Sequence, residues 1–348
     1  MFLVGRGGRY ATTIPGMETT RDIVLEQLER HKGQFASGGE LADGLGLSRN
    51  AVWKAVEALR KDGWPIESVR GRGYRLDAES SILSAASIRR WLDDAGDLGD
   101  SIRVVYHDSI DSTNLEAKRL AESGACEGTL VVAGRQTAGR GRQGRGFFSP
   151  AGTGVYFTLL LRPTFEVGDV TLVTSAAAVA VAETIEDVFG KAAQIKWVND
   201  VFTDGRKVSG ILTEATFDAE SARLAYAVLG IGVNVYTPEE GWPDEVAGVA
   251  HAISAGHSDS ADRRARLVAG VASRFMRAYP HLPEKPHLEA YRARSLLDGR
   301  EVEVFEGGGS YRAQVLGVTD GFALSVRMED GTVRELASGE VHIPSSQL

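Results

Sequence analysis

The sequence predicts an α+β protein with a winged helix-turn-helix at its N-terminus, a central domain built on a mixed sheet, and a small β-barrel at its C-terminus. A chain of 348 residues is too long for one small core. Helical and extended patterns come in blocks instead of alternating regularly, which is typical of α+β folds. We therefore expect four segments: a disordered leader at 1–17, the winged helix at 18–78, the central domain at 79–296, and the barrel at 297–348.

The composition excludes several classes of protein. The single cysteine, Cys126, rules out a disulfide framework and a cysteine-rich zinc site. No apolar run approaches the roughly 20 residues of a membrane span, so we expect no membrane association and a cytoplasmic protein. The leader carries only a short apolar stretch, too short for a signal peptide, and the true start codon could be that of Met17. There is no G-x-x-x-x-G-K-[ST] loop, and the seven histidines do not cluster.

The first elements match a helix-turn-helix. The segment "TRDIVLEQLER" has helical apolar spacing with Thr19 or Thr20 as its cap. A short helix around 40–43 ends in a turn at 44–46, and Ser48 caps a longer helix.

The segment "IESVRGRGYRL" then predicts a hairpin with an Arg-Gly tip, which is the wing. The segment from Ser48 to Arg75 contains seven basic and three acidic residues, although the net charge of the whole chain is -8. We expect DNA binding here, whereas the alternative is a module for dimerisation or protein docking. The residues expected to contact DNA are Arg49, Asn50, Lys54, Arg70 and Arg72.

The central domain carries three segments suited to chemistry. The first, "DSTN" at 111–114, offers hydroxyl and amide groups at a helix start, either for a ligand or simply as a cap. The second, "GRQTAGRGRQGR" at 134–145, contains four arginines and no acidic residue. Glycines allow backbone amides to approach an anion, and guanidinium groups match phosphate or carboxylate oxygens. We interpret it as a lid that orders over a small anion; the alternative is nonspecific nucleic-acid binding.

The third segment combines "KWVNDV" with "GRKVSGIL". Lys196, Asn199 and Asp200 flank a strand end, and Lys207 begins the next strand. Lys207 could be held partly desolvated on the floor of a site, or both lysines could be solvated strand ends. The glycines of "GIGVNV" at 230–235 would let the backbone pack against a ligand.

The tail has a simpler pattern. Short alternating strands such as "GFALSVRM" are separated by Gly-containing turns, which predicts the β-barrel.

In order and spacing, these segments closely resemble the bifunctional biotin ligase and biotin-operon repressor family. The motifs "DSTN", "GRGRQGR", "FSP", "KWVND", "KVSGIL" and "GIGVN" occur in family order, and the resemblance spans almost the whole chain from Thr19. It implies a central domain similar to class II synthetases and biotin-lipoate ligases, and an SH3-like barrel. Two positions depart from the pattern: Val198 replaces the usual proline, and Phe147 an aromatic that is often tryptophan.

The resemblance also implies a reaction. Such a ligase joins biotin and ATP, with Mg²⁺, into biotinoyl-5′-AMP and then transfers biotin to a lysine of the biotin carboxyl carrier protein. By this resemblance the adenylate would also be the corepressor on operator DNA of biotin genes and would drive homodimer formation. The implied catalytic residues are Arg140, Arg142 and Lys207. The implied biotin-binding residues are these three with Ser112, Thr113, Asn114, Gln136 and Gly141. The nucleotide side would comprise Lys196, Asn199, Asp200 and Asn234, with Asp200 near Mg²⁺ and no structural metal.

Two other functions compete with that of a bifunctional ligase and repressor. A transcription regulator that only senses its ligand would need a degraded cationic site, yet Arg142 and Lys207 are both present. A lipoate ligase would share the general architecture, but the "GRGRQGR" loop and the winged helix favour biotin.

Overall fold

The protein is described by a computed structural model, in which the chain divides into two compact units, one ending at Ser80 and the other beginning at Ser81. The leader predicted at 1–17 and the last five residues lie outside the described part of the chain. No helix of that part is long and apolar enough to cross a membrane. The described residues are 19–96, 98, 101–164, 170–217, 224–256, 262–306 and 309–343.

The first unit is the predicted winged helix-turn-helix. Its elements are α1 (Thr20–Arg30), α2 (Gly38–Leu45), α3 (Arg49–Lys61), β1 (Ile66–Val69) and β2 (Gly73–Leu76). Each helix starts where the sequence supplies a hydroxyl, because Thr19, Ser37 and Ser48 each accept a hydrogen bond from the backbone N–H three residues on. Gly46 ends α2 with φ of 64°, a conformation that favours glycine.

The core of this unit forms as the helical spacing predicts. Val52, Val56 and Leu59 of α3 are fully buried. The two wing strands pair antiparallel, so the Arg-Gly tip lies between them. A Cβ at Gly73 would overlap the carbonyl of Ala36, so the base of the wing requires glycine for its close approach to the backbone before α2.

The second unit is built on a seven-stranded mixed sheet. Its order is β3-β4-β5-β9-β8-β7-β6, and only the β3/β4 pair is parallel. This confirms the predicted mixed sheet. The strands are β3 (Arg103–His107), β4 (Thr129–Ala133), β5 (Gly154–Leu161), β6 (Ala193–Lys196), β7 (Asp200–Thr203), β8 (Arg206–Phe217) and β9 (Leu224–Asn234).

Helices cover the sheet unequally. The long apolar helix α6 packs with α8 into the main core, whereas α5 packs on a separate apolar cluster formed with β4, β5 and β9. Most side chains of α6 from Leu172 to Ile185 are buried, as expected of a helix that is apolar around most of its surface. The helices of this unit are α4 (Ala85–Asp94), α5 (Thr113–Glu122), α6 (Val170–Phe189), α7 (Asp244–Ala247), α8 (Arg263–Ala278) and α9 (Leu288–Ala293).

The C-terminal domain, predicted as a small SH3-like β-barrel, is a five-stranded antiparallel sheet ordered β13-β12-β11-β10-β14. Its strands are β10 (Glu301–Glu306), β11 (Gly309–Val318), β12 (Leu324–Met328), β13 (Val333–Leu336) and β14 (Glu340–His342). Phe322, in the turn before β12, is buried between the His287 and Tyr291 rings of the central domain. The backbone carbonyl of Phe322 accepts a hydrogen bond of 2.8 Å from the Trp197 indole. The small sheet is therefore anchored beside the segment that carries Lys196, Asn199 and Asp200.

Candidate functional site

A cavity opens where the N-terminus of α5 meets β8 and β9. It gathers nearly all the polar groups that the sequence assigned to the central domain. The predicted residues that line it are Ser112, Thr113, Asn114, Gln136, Arg140, Gly141, Arg142, Lys196, Asn199, Asp200 and Lys207.

The "DSTN" segment forms one wall of the cavity, and its side chains are held by neighbours. Ser112 is the N-cap residue of α5, but its side chain makes no cap hydrogen bond. Instead Gln136 Oε1 accepts from the Thr113 backbone N–H at 2.9 Å, and Gln136 Nε2 donates to Ser149 Oγ at 2.9 Å. Thr158 Oγ1 donates to Asn114 Oδ1 at 2.7 Å. The wall is therefore a buried polar network with fixed orientations.

The glycines of β9 let this wall approach the sheet. A Cβ at Gly230 would overlap the Asn114 amide, and a Cβ at Gly232 would overlap the Phe147 ring. The sequence predicted that backbone here would pack against a ligand. In the structure this backbone packs against the side chains of Asn114 and Phe147, and Gly230 and Gly232 also line the cavity.

The glycine-arginine loop closes the cavity with internal contacts. Arg142 donates to Asn199 Oδ1 at 2.7 Å, and Arg145 forms two hydrogen bonds of 2.8 Å with the Glu340 carboxylate. A backbone hydrogen bond from Phe147 to Gly139 joins the two ends of the loop at 2.9 Å. The sequence predicted a lid that orders over a small anion. It did not reveal the partners Asn199 and Glu340, which lie far from the loop in sequence and hold it without a ligand.

Two lysines face the loop from the sheet. Lys207 Nζ lies 2.7 Å from Asp200 Oδ2, and both side chains are largely shielded from solvent. Burial lowers the pKa of Lys196, and Lys207 adds to this while Asp200 opposes it. Lys207 therefore lies beside Arg142 and Arg140 in one cationic lining, as expected of a residue on the floor of a site.

Sequence reasoning missed the contribution of the C-terminal sheet. Gly339, Glu340 and Val341 line the cavity at the start of β14. The hydrogen bond from Arg145 is the main reason that the pKa of Glu340 falls to about 2, and His342 adds to it. No local pattern marks Glu340, since an acidic residue at a strand end is ordinarily a solvated one.

Asn234 and Val198 fall outside the lining. Asn234 ends β9 as a buried residue whose carbonyl accepts from the Ile253 N–H at 3.0 Å, and it does not border the cavity. Val198 follows a cis peptide bond, and its carbonyl accepts from the Tyr291 hydroxyl at 3.3 Å.

The residues predicted to contact DNA share a surface in the first unit. Arg49, Asn50 and Lys54 are exposed on α3, opposite its buried face. At the wing tip Arg70 and Arg72 are also exposed, and the Arg72 guanidinium lies 4.0 Å from the centre of the Phe35 ring.

Each of the two units matches a known protein family. The Biotin/lipoate A/B protein ligase family matches residues 106–234, which contain the cavity motifs. An HTH domain matches residues 21–75, which cover the winged helix.

Relatives resemble the chain over nearly its full length. The bifunctional ligase/repressor BirA of Bacillus subtilis is 35% identical over 331 residues, which cover 93% of this chain and 99% of the relative. The chain belongs to the BirA family. The Escherichia coli member is 30% identical over 332 residues, covering 90% of this chain and 95% of its own. The family predicted from the ordered motifs is thus confirmed, with its ligase and its repressor parts.

A solved structure agrees with the fold of the second unit. A biotin protein ligase from Aquifex aeolicus in complex with biotin and ATP is 28% identical, with a TM-score of 0.58, and matches 69% of this chain and 97% of its own. The central domain of this BirA-family protein therefore has the fold of a biotin protein ligase.

Proposed function

We propose that this protein activates biotin with ATP to biotinoyl-5′-AMP and transfers the biotinoyl group to a lysine of the biotin carboxyl carrier protein. The observation that carries the proposal is the cavity itself. Arg140, Arg142 and Lys207 line it opposite the polar wall of Thr113 and Asn114. In a protein of the BirA family, this arrangement suits a carboxylate and a phosphate held side by side.

The first step joins two anions. The biotin carboxylate oxygen attacks the α-phosphorus of ATP, the bond to the bridging oxygen breaks, and pyrophosphate leaves. Repulsion between the reactants is the main obstacle, so positioned cations supply most of the catalysis. In our proposal Arg140, Arg142 and Lys207 neutralise the reacting oxygens, while Lys196, Asn199 and Asp200 serve the nucleotide side.

The second step needs no nucleophile from this chain. The neutral ε-amine of the carrier lysine attacks the acyl carbon, AMP leaves, and the amine nitrogen loses a proton. The acyl phosphate is prone to hydrolysis, so the loop that runs from Gly139 to Phe147 would protect it by excluding water.

Magnesium would accompany the ATP. Among the described residues, no group of three or more His, Cys, Asp or Glu side chains could hold a metal by itself. Asp200, with Asn199 beside it, fits an ion bound mainly through the phosphates, since Mg²⁺ in such sites takes one or two carboxylates and keeps several waters. Its chemistry there would be to neutralise phosphate charge.

We also propose that the first unit binds operator DNA of biotin-synthesis genes as a repressor. Arg49, Asn50 and Lys54 would meet base edges and phosphates at the major groove, and Arg70 and Arg72 would contact the backbone from the wing. Biotinoyl-5′-AMP would be the corepressor and would favour a homodimer. The domain limits 18–78, 79–296 and 297–348 and the cytoplasmic location belong to the same proposal.

The decisive experiment incubates the purified protein with biotin, MgATP and a carrier domain. We expect biotin on one carrier lysine, detected by mass spectrometry, and an adenylate when the carrier is omitted. Absence of both products would contradict the ligase proposal and favour a regulator that only senses its ligand.

The repressor proposal has a separate test. A gel shift with DNA upstream of biotin-synthesis genes, with and without biotinoyl-5′-AMP, should give tighter binding with the adenylate. Equal weak binding under both conditions would contradict the corepressor role.

A further inference from the structure

One carboxylate outside the cavity contacts a predicted ligand-binding residue. Glu214 lies on β8, and its Oε2 accepts a hydrogen bond of 2.8 Å from Asn114 Nδ2. Neither the sequence motifs nor the cavity lining includes Glu214. Asn114, by contrast, is buried and lines the cavity.

This contact is the shorter of two that determine which way the Asn114 amide points; the Leu212 carbonyl also accepts from Asn114 Nδ2, at 3.4 Å. An ionised carboxylate only accepts hydrogen bonds, so the NH₂ end of the amide must face Glu214. The oxygen end faces Thr158 Oγ1, which donates to it at 2.7 Å. A reversed amide would set Asn114 Oδ1 against the Glu214 carboxylate and lose that hydrogen bond, whereas the Thr158 hydroxyl could accept from the reversed amide and does not select the orientation.

The fixed orientation leaves one acceptor position on Asn114. A carbonyl oxygen has two lone pairs, and Thr158 uses one of those on Asn114 Oδ1. The amide lies directly over Gly230, where a Cβ would overlap it, so its place at the cavity wall is tightly limited. The free lone pair suits a ligand N–H.

Lys118, which does not line the cavity, pairs with the other oxygen of Glu214. Lys118 Nζ lies 2.6 Å from Glu214 Oε1, and about a quarter of each side chain is exposed. Burial alone would raise the pKa of Glu214, but the hydrogen bonds from Lys118 and Asn114 outweigh it, so its pKa lies below the ordinary value. Glu214 is therefore ionised near neutral pH and stays an acceptor.

We propose that Glu214 is a positioning residue for biotin: it orients the Asn114 amide so that Oδ1 accepts a hydrogen bond from a ureido N–H. This inference rests on the proposed function, because biotin supplies the N–H. Glu214 also interacts electrostatically with Arg140, but its hydrogen bond goes to Asn114, so its loss should weaken biotin binding and leave ATP binding unchanged.

The test measures biotin affinity by calorimetry in Glu214→Gln. Glutamine has nearly the same shape, but its amide both donates and accepts, so Asn114 is no longer forced into one orientation. We expect roughly 10-fold weaker biotin binding, the scale of a hydrogen bond to a charged group. The KM for ATP at saturating biotin and the melting temperature should stay at wild-type values.

Two further variants separate positioning from general support. In an Asn114→Ala background, Glu214→Gln should add no further loss, because the two residues act as one unit. Glu116→Gln is the matched control. Glu116 lies on α5, as Asn114 does, but its carboxylate pairs with Arg119 at 2.9 Å and not with Asn114. It should bind biotin as the wild type does.

Each other outcome overturns the inference. Wild-type affinity in Glu214→Gln, an additive loss in the double variant, or parallel losses for biotin and ATP would each exclude positioning through Asn114. If the wild-type protein itself does not bind biotin, the proposed function fails, and the inference fails with it.

Discussion

Three cations of the cavity, Lys207, Arg142 and Arg145, differ in their surroundings from Arg49 and Lys54 of α3. In the cavity Lys207, Arg142 and Arg145 each contact an oxygen of this chain, at 2.7, 2.7 and 2.8 Å. On α3, Arg49 and Lys54 are exposed and form no ion pair within the described part of the chain.

The difference matches the two kinds of anion. A small reacting anion is served best by donors fixed in advance, because they need no reorganisation during the reaction. DNA is a long polyanion whose binding is driven by counterion release, which solvated side chains provide. Lys207 and Arg142, which oxygens of this chain hold in place, therefore suit the reaction of a small anion. The solvated Arg49 and Lys54 of α3 suit nucleic-acid binding.

The largest effect should come from removing the central cation of the cavity. We expect Lys207→Ala to lower the rate of adenylate formation by about 10²- to 10³-fold, since it removes a positioned charge from the reacting oxygens. Lys191→Ala is the control, because Lys191 pairs with Asp204 on a largely exposed surface. Pyrophosphate release measures the rate. Near-wild-type adenylation with Lys207→Ala would contradict the catalytic role that we assign to the paired cations of the cavity.

The solvated cations should affect DNA binding alone. Replacing Arg49 and Lys54 together by alanine should reduce the slope of log K against log salt by about 2. Fluorescence anisotropy over a salt series measures this slope. Arg60→Ala, at the end of α3 where Arg60 pairs with Glu57, should leave it unchanged. A loss of ligase activity in the double variant would contradict the separation of roles.

Weakening the lid should release the intermediate. Arg142→Gly removes the 2.7 Å contact with Asn199 and adds backbone freedom to the loop. We expect several-fold more biotin on bystander proteins and on the ligase itself, because the adenylate escapes before transfer. Streptavidin blots of a mixture with albumin detect it. Labelling confined to the carrier would exclude the lid role.

The smallest effect concerns Glu340, whose pKa is lowered from 4.5 to about 2 by Arg145 and then His342. A lowered pKa means that the pair stabilises the fold fully above about pH 4.5 and progressively less as the pH falls towards 2. Glu340→Gln should therefore cost at most about 1 kcal/mol at pH 7, because Arg145 is exposed, and less near pH 3. Melting curves at the two pH values measure this. An equal loss at both would contradict an ionic contribution.

Much of the fold could be predicted from the sequence because its signals are local. The caps Thr19 and Ser48 and the buried spacing of Val52, Val56 and Leu59 act within one helix. The cavity motifs were recognisable because their order is preserved along the chain. Asn234 shows the limit of that approach, since the motif that contains it borders the cavity through Gly230, Ile231 and Gly232 and not through Asn234.

The sequence by itself determined the elements, the mixed sheet and the cationic character of the site. Only the tertiary structure decided which acidic and amide groups hold those cations, and which group orients Asn114. Arg145 and Glu340 are 195 residues apart, and Asn114 and Glu214 are 100 apart. Such pairs meet because sheet pairing and packing bring distant strands together, and no local pattern of residues encodes that meeting.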